Sequence, residues 1–490
     1  MLFDFVGIFQ YNIIEFRFRF TEGDNVIKEK LSKKNWFIIT MFCFMGGIAW
    51  NTENMYFNTF ITNEIYADVS QAAILGSMEA TTAVARMVAL SAVAAVLTTF
   101  IMGALSDKLK NRKMFISVGY ILWGIVTAMF GFITKDNVAN LFNLTDEAKI
   151  LGTTVWFVIL MDIVMTFMGS TSNDAAFQAW VTDITVPKQR PIVETVLSVV
   201  GTISSFAVTG VGSFAQAGTI TYKLFFGVLG LVVALCGVLG LFLIKDPPRT
   251  LQRENNSSYW SNLFYGFRPS VIKENARLYL SLASFCFAII AFQVFYPYLL
   301  TYVQYVVIPD NGGVENILRA PVIITAVVVA VVLLACIVFM LKFSTRKKGL
   351  CLVTGVVVLT FGFFALSTST SIYVILLSVL PVVLGNAIVN ILFGATIKDF
   401  IPEGKAGLFQ GIRMIFAVLL PMVIGPVIGD KACQYAARTI INEVGAEVIV
   451  PAKNMFLWAG VVCIFALIPL YFLVRKGFDT NNADVGEVTV

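Results

Sequence analysis

Thr221-Tyr-Lys-Leu-Phe-Phe-Gly-Val-Leu-Gly-Leu-Val-Val-Ala-Leu-Cys-Gly-Val-Leu-Gly-Leu-Phe-Leu-Ile244, followed at once by Lys245-Asp-Pro-Pro-Arg249, decides the fold. From Leu224 to Ile244 no side chain is charged, and at 1.5 Å per residue this run crosses the roughly 30 Å hydrocarbon core of a bilayer. Only a helix satisfies its backbone polar groups there, because lipid offers them no partner. The rest of the chain is of the same kind. Of 490 residues, 58% are apolar and 13% charged, and the mean hydropathy is +0.83, whereas soluble domains carry about 25% charged residues. A water-soluble globular domain is excluded. Eleven further apolar stretches bring the predicted spans to twelve: 36–61, 76–105, 114–133, 152–179, 192–215, 221–244, 278–305, 320–341, 350–368, 372–397, 407–429 and 454–474.

The expected architecture is an all-α integral membrane protein with twelve transmembrane helices in two six-helix bundles. An N-terminal segment (1–35) precedes the first bundle (36–244), a polar central loop (245–277) separates it from the second (278–474), and a tail (475–490) follows. With both termini inside, the inner side receives 26 of the 35 Lys and Arg residues and the outer side seven, which predicts that orientation. The net charge of +5 is mostly this topological signal, and no nucleic-acid partner is expected. The 34 N-terminal residues, with Glu15-Phe-Arg-Phe-Arg-Phe20, do not read as a cleavable signal peptide. Seven scattered cysteines read as small buried hydrophobes, and no metal or other cofactor is expected. The absence of histidine removes His-based triads and zinc motifs, leaving Asp and Glu to carry any proton.

An internal repeat supports two related halves. Asp174-Ala-Ala-Phe-Gln-Ala-Trp-Val-Thr-Asp183 in helix four matches Asn390-Ile-Leu-Phe-Gly-Ala-Thr-Ile-Lys-Asp399 in helix ten at Phe177/Phe393, Ala179/Ala395 and Asp183/Asp399. After helix two the chain reads Gly103-Ala-Leu-Ser-Asp107-Lys108-Leu-Lys-Asn-Arg112-Lys113. This hairpin resembles the signature of the major facilitator superfamily, in which a Gly, an Asp and a basic cluster form an inner gate. The resemblance implies a gate role for Gly103, Asp107, Lys108, Arg112 and Lys113, with Asp107 charge-pairing across the inner ends of the halves. The basic residues are expected to anchor at the inner surface, and Arg413 at the start of helix eleven is read as an inner-end anchor or gate partner. A narrower resemblance links Asp174 to Thr185 with the helix-four signature of the glycoside-pentoside-hexuronide:cation symporters, whose Asp hydrogen-bonds sugar hydroxyls; that role falls on Asp174. Where that family places cation-binding Asp residues in helix two, this chain has Thr98 and Thr99, so its sodium site is not carried over.

Ionisable groups inside a membrane are costly and mark function by default. Glu53 in helix one and Arg86 in helix two fall at similar depth and are expected either to form a static ion pair or to serve proton coupling. Asp162 is a lone carboxylate in an apolar run. Eleven residues separate it from Asn173, so an ideal helix places them on one stripe, with Asp174 and Gln178 on its neighbour. Trp50 and Asn54, Gln293 and Tyr296 in helix seven, and Asn386 and Asn390 in helix ten complete the expected substrate-binding set, since amides, indoles and phenols suit hydroxyl-rich solutes. Tyr302 and Gln304 read equally well as helix-joining or interfacial residues.

The expected function is secondary active transport of a small polar solute, a sugar or glycoside, by alternating access. Proton coupling runs through Glu53, Asp162 or Asp174, with sodium the alternative ion. An efflux carrier for amphipathic compounds and a solute receptor without transport are the rival readings. No nucleophile–base arrangement or P-loop points to an enzyme. The partners expected are the solute and the lipid bilayer, and the chain is read as a monomer. Its short loops fit a plasma membrane, specifically a bacterial inner membrane.

Overall fold

A computed structural model describes residues 31–109, 111–185, 190–246, 268–329, 332, 348–401 and 412–475. The N-terminal stretch around Glu15–Phe20, most of the central loop, the C-terminal tail and the side chains of Asp107 and Lys108 lie outside the described residues. Of the first compact unit, Met1–Phe37, only the first turn of the first helix is described; the rest of the fold belongs to the second, Ile38–Val490.

Among the described residues the architecture is helical apart from one short β-hairpin. Helix α1 (Lys33–Asn51) continues through π-helical turns to Ile65. It is followed by α2 (Ala80–Leu109), α3 (Arg112–Met129), α4 (Glu147–Ile184), α5 (Arg190–Gln216) and α6 (Tyr222–Leu243). Then come α7 (Ala276–Asp310), α8 (Ala320–Val329), α9 (Lys348–Thr368), α10 (Ile372–Asp399), α11 (Ile412–Ala436) and α12 (Asn454–Arg475). Among the described residues ten helices are long and apolar enough to cross a membrane, against twelve expected; α1 and α8 are outside that group. The polar second half of α1 (Asn51, Thr52, Glu53, Asn54, Asn58, Thr59) dilutes its hydropathy, and α8 is described only to Val329. The chain is a multi-pass membrane protein.

Within the first six helices α3 packs along α6, and α2 packs on α4; within the last six, α9 packs on α10 and α12, and α7 on α11 and α12. Helix α2 also lies against α11. Small residues set the α3–α6 distance: a Cβ on Gly124 would strike the Gly230 carbonyl and Ala234, and one on Gly230 would strike Gly124 and Ala128. Such close backbone approach is how helices gain packing where lipid removes the hydrophobic drive. The repeated phenylalanines pack alike. Phe177 stacks on Phe42 of α1 with centroids 6.0 Å apart, and Phe393 lies 5.7 Å from Phe285 of α7. Cys236, Cys286, Cys351, Cys433 and Cys463 are buried thiols.

The connections carry unforeseen structure. A short helix, Lys135–Phe142, links α3 to α4, and strands β1 (Thr439–Ile441) and β2 (Glu447–Ile449) form an antiparallel hairpin between α11 and α12, pairing Ile440 with Val448. Gly230→Val is expected to force α3 and α6 apart and to destabilise the protein by about 1–3 kcal/mol, read as a lower thermal unfolding midpoint in detergent; an unchanged midpoint would contradict this packing.

Candidate functional site

A cavity of about 310 Å³ lies between the first and last six helices. Trp50, Glu53 and Asn54 of α1, Ser91, Ala92 and Ala95 of α2, and Thr166 and Asp174 of α4 line one side. Gln293 and Tyr296 of α7 and Val418 and Met422 of α11 line the other. Irregular helix turns shape it. In α1 the amides of Asn51, Asn54 and Asn58 each donate to the carbonyl four residues back, at 2.6, 2.7 and 2.7 Å, and compete with the backbone where the helix loosens into π turns. A 3-10 turn at Tyr296–Tyr298 holds Pro297 in α7, and a π turn at Ile415–Leu419 precedes Pro421 in α11.

Helix α4 changes pitch over Ser170–Phe177, where it is π-helical. The wider turn breaks the ideal stripe on which Asp162 and Asn173 were expected to lie together. Asn173 turns into the wall, where its Oδ1 accepts from the Tyr120 hydroxyl at 2.9 Å, while Asp174 faces the cavity. The same Tyr120 hydroxyl lies 2.9 Å from the Phe42 carbonyl. Asp174 accepts from the Asn173 amide at 3.1 Å and from the Ser170 hydroxyl at 3.2 Å, and Trp50 also hydrogen-bonds it. A wall residue thus orients a cavity carboxylate. Gln178, one turn on, is exposed and does not join the cavity lining.

Glu53 is buried, and its Oε1 accepts from the Thr166 hydroxyl at 2.9 Å, while Oε2 has no partner. Thr166 follows Asp162 by one turn of α4. Asp162 is 1% exposed, sits behind the lining rather than in it, hydrogen-bonds Ser91 and leaves Oδ1 unpartnered. The expected Glu53–Arg86 pair is not formed. Arg86 is exposed, with its guanidinium 6.0 Å from the Trp156 ring centroid on α4. Five steps of about 100° carry Arg86 roughly 140° around α2 from Ser91, which faces the cavity. Asn386 and Asn390 do not line the cavity either; they bond each other at 2.9 Å, and Asn390 is exposed.

The hairpin after α2 is also built differently from the expected surface anchor. Arg112 is buried, its Nε bonding Asp183 Oδ2 of α4 at 3.3 Å and its guanidinium bonding the Ser106 hydroxyl. Asp246 accepts from the Lys113 backbone N–H at 3.1 Å and Asn111 from that of Met114 at 3.2 Å, so both cap the start of α3. Gly103 lies in the last turns of α2, and Arg413 stands in the first turn of α11.

Toward the end of the molecule carrying the loop from Tyr66 to Ser70, the two sides of the cavity are sealed. The Asn63 amide of α1 donates to Gln304 at 3.1 Å and to Tyr222 at 3.0 Å, and its oxygen accepts from Tyr305 at 2.9 Å. Asp430 of α11, 3% exposed, accepts from Thr81 at 2.7 Å, from Thr82 at 3.2 Å and from Gln434 at 2.9 Å. The Tyr298 hydroxyl bridges the carbonyls of Thr81 and Pro426. Gln304 therefore joins helices, and Tyr302, buried at 2%, is not an interfacial residue. Tyr120→Phe, which removes the bracket on Asn173, is expected to cost about 1–2 kcal/mol of stability, whereas Gln178→Ala stays within about 0.5 kcal/mol; thermal unfolding of the two variants side by side checks this placement.

The profile of the Major Facilitator Superfamily matches residues 36–426. No curated protein matches the chain by sequence. The fold is similar to that of the nucleoside transporter NupG, in a mutant form, with a TM-score of 0.60 at 12% identity over 90% of this chain and 99% of that one. It is similar also to the xylose transporter XylE from E. coli in a partially occluded inward-open conformation, with a TM-score of 0.58 at 14% identity over 90% of this chain and 97% of that one. A bacterial homologue of the human lysosomal transporter Spinster gives 0.57 at 13% identity over 91% and 98%. With the profile spanning most of the chain, this protein belongs to the Major Facilitator Superfamily and is a membrane transporter of small molecules, not an enzyme.

Proposed function

We propose that this transporter moves a small hydroxyl-bearing solute, a sugar or glycoside, by alternating exposure of the cavity between its two six-helix halves, coupled to a proton. The observation that carries the solute class is the setting of Asp174. Donors on its own helix and on Trp50 hold its carboxylate at the cavity wall as an acceptor, and Gln293, Tyr296 and Asn54 offer amide and phenol groups around it. A volume of about 310 Å³ is at the small end of ligand pockets, roughly 300–1,000 Å³, and suits a solute of monosaccharide size. The indole of Trp50 and ring of Tyr296 provide flat faces for a sugar ring. Two of the similar folds are described as a D-xylose–proton symporter and a nucleoside transporter, which supports a hydroxylated solute.

The coupling site we assign to Glu53, which bonds Thr166, and Asp162, which lies one turn of α4 before Thr166 and bonds Ser91. Each has a buried carboxyl oxygen without a partner, and a proton taken up by either removes the cost of burying its charge. The Lys and Arg bias orients both termini to the cytoplasm, so the sealed end of the cavity faces outward.

Uptake of radiolabelled mono- and disaccharides into proteoliposomes, under an inward proton gradient and then a sodium gradient, tests this. Proton-driven accumulation is expected. Asp174→Asn, which turns a charged acceptor into a neutral one, is expected to weaken solute binding roughly 10- to 100-fold, as the loss of about 1.5–3 kcal/mol implies. Glu53→Gln is expected to keep solute exchange but to lose accumulation. If no sugar moves under either gradient, the solute class is wrong; if only sodium drives uptake, the coupling ion is.

A further inference from the structure

The loop at the sealed end, from Tyr66 to Ser70, is gripped from two sides by different chemistry. On the side of the first six helices the grip is charged. Lys135 donates to the Ile65 carbonyl at 3.0 Å and pairs with Asp68, and Glu147 at the start of α4 accepts from the Ser70 backbone N–H at 2.8 Å and from its hydroxyl. Tyr66 is itself fully buried and donates to the Met78 carbonyl at 2.6 Å.

From the other side comes the β1–β2 hairpin, and every bond it makes to this loop is neutral. Asn442 Nδ2 donates to the Val69 carbonyl at 2.7 Å and to the Tyr66 carbonyl at 3.1 Å, the Glu443 N–H to Ala67 at 2.9 Å, and the Glu447 N–H to Gln71 Oε1 at 2.8 Å. The hairpin is braced internally. Asn442 Oδ1 accepts from the Ala446 N–H at 2.8 Å, Gly445 takes the left-handed φ of +82° that closes the turn, and Val448 and Val450 are buried. Its ends belong to the second half. Arg438 pairs with Asp310 at the end of α7 at 2.6 Å, and Lys453 donates to the Thr368 carbonyl at the end of α9 at 3.0 Å.

We propose that this hairpin is a detachable latch on the outer gate: it undocks as a preformed unit from the Tyr66–Gln71 segment when the cavity opens on that face, while Lys135 and Glu147 keep the segment on the first half. Asn442 is the residue on which the latch turns, because one amide both staples the turn and makes two of the four docking bonds. The four bonds to the loop are neutral and break without leaving a charge unpaired, while the Glu79 carboxylate, which accepts from the Ile449 backbone N–H of β2, exchanges that donor for water when the faces separate. The proposal rests on the alternating-access reading above.

The test labels a cavity cysteine. In the full chain, Ala95→Cys is reacted with a membrane-impermeant maleimide added in turn to each face of oriented membrane vesicles, and labelling above that of the unmutated chain is followed. With the latch intact, labelling from the hairpin face is expected to be slow. Asn442→Ala is expected to raise it roughly tenfold, the factor that about 1.4 kcal/mol corresponds to, with labelling from the opposite face falling. Lys135→Ala, which loosens only the grip of the first half, is expected to leave it unchanged. Should Asn442→Ala fail to fold, Gln71→Ala removes one docking acceptor without touching the turn and is expected to move labelling the same way by a smaller factor. Equal labelling from the hairpin face with and without these substitutions overturns the latch. If no variant, nor the Ala95→Cys chain itself, is ever labelled from that face, alternating access itself fails and the latch with it.

Discussion

The hydrocarbon core supplies no hydrogen-bond partner, and nearly every polar placement in this protein answers to that constraint. Hydroxyls inside helices turn back on the carbonyl four residues earlier, as Thr52 does on Ile48 at 2.8 Å, Thr127 on Trp123 at 2.8 Å and Thr360 on Val356 at 2.8 Å. Asparagines do the same in α1, three times in succession, and there the backbone pays with its regular pitch. Loss of pitch in α1 and α4 is what brings Glu53 and Asp174 to a common cavity. Polar satisfaction and site geometry therefore have one origin.

Where the constraint is broken, function is the reason that fits. Glu53 Oε2 and Asp162 Oδ1 are buried carboxyl oxygens without partners, and among the described residues no basic side chain lines the cavity beside them. Arg86, the cation on the facing helix that depth alone would choose as counter-charge, lies over the Trp156 ring on the exposed side of α2. A charge at the right depth is not a charge at the right azimuth.

Depth was legible in the sequence, because hydropathy and the 1.5 Å rise give position along a helix to within a turn. Azimuth was legible only where the helix is regular. Trp50, Glu53 and Asn54 share the cavity with Gln293 and Tyr296 because each group lies within one or two turns of its helix. The stripe from Asp162 to Asn173 failed because the helix turns π-helical at Ser170, before Asn173 is reached, and nothing in Ser-Thr-Ser-Asn-Asp announces that pitch beyond a run of short polar side chains able to compete with the backbone. Ser91 and Thr166 went unnoticed because a single hydroxyl in an apolar helix usually bonds its own backbone. The hairpin left a clearer trace: β-branched Thr439-Ile-Ile441 and Val448-Ile-Val450 flank Asn442-Glu-Val-Gly445, a strand–turn–strand pattern overlooked inside a presumed loop.

The seal at the loop end shows how a transporter can hold one state without being trapped in it. Individual neutral hydrogen bonds contribute about 0.5–1.5 kcal/mol each, so the amide and hydroxyl contacts around Asn63, with the hairpin's four, add up to a firm closure from weak parts. Each group in them can exchange its partner for water when the halves part on the aqueous side. Asp430 is a carboxylate in the seal, and it follows the same rule in a stricter form. Buried against Thr81, Thr82 and Gln434, it has donors enough to be tolerated closed, and on opening it gains hydration that a buried ion pair could not offer. A carboxylate matched to neutral donors thus differs little in free energy between the two faces of the cycle, whereas a strong ion pair at the same place would bias the protein toward the closed state.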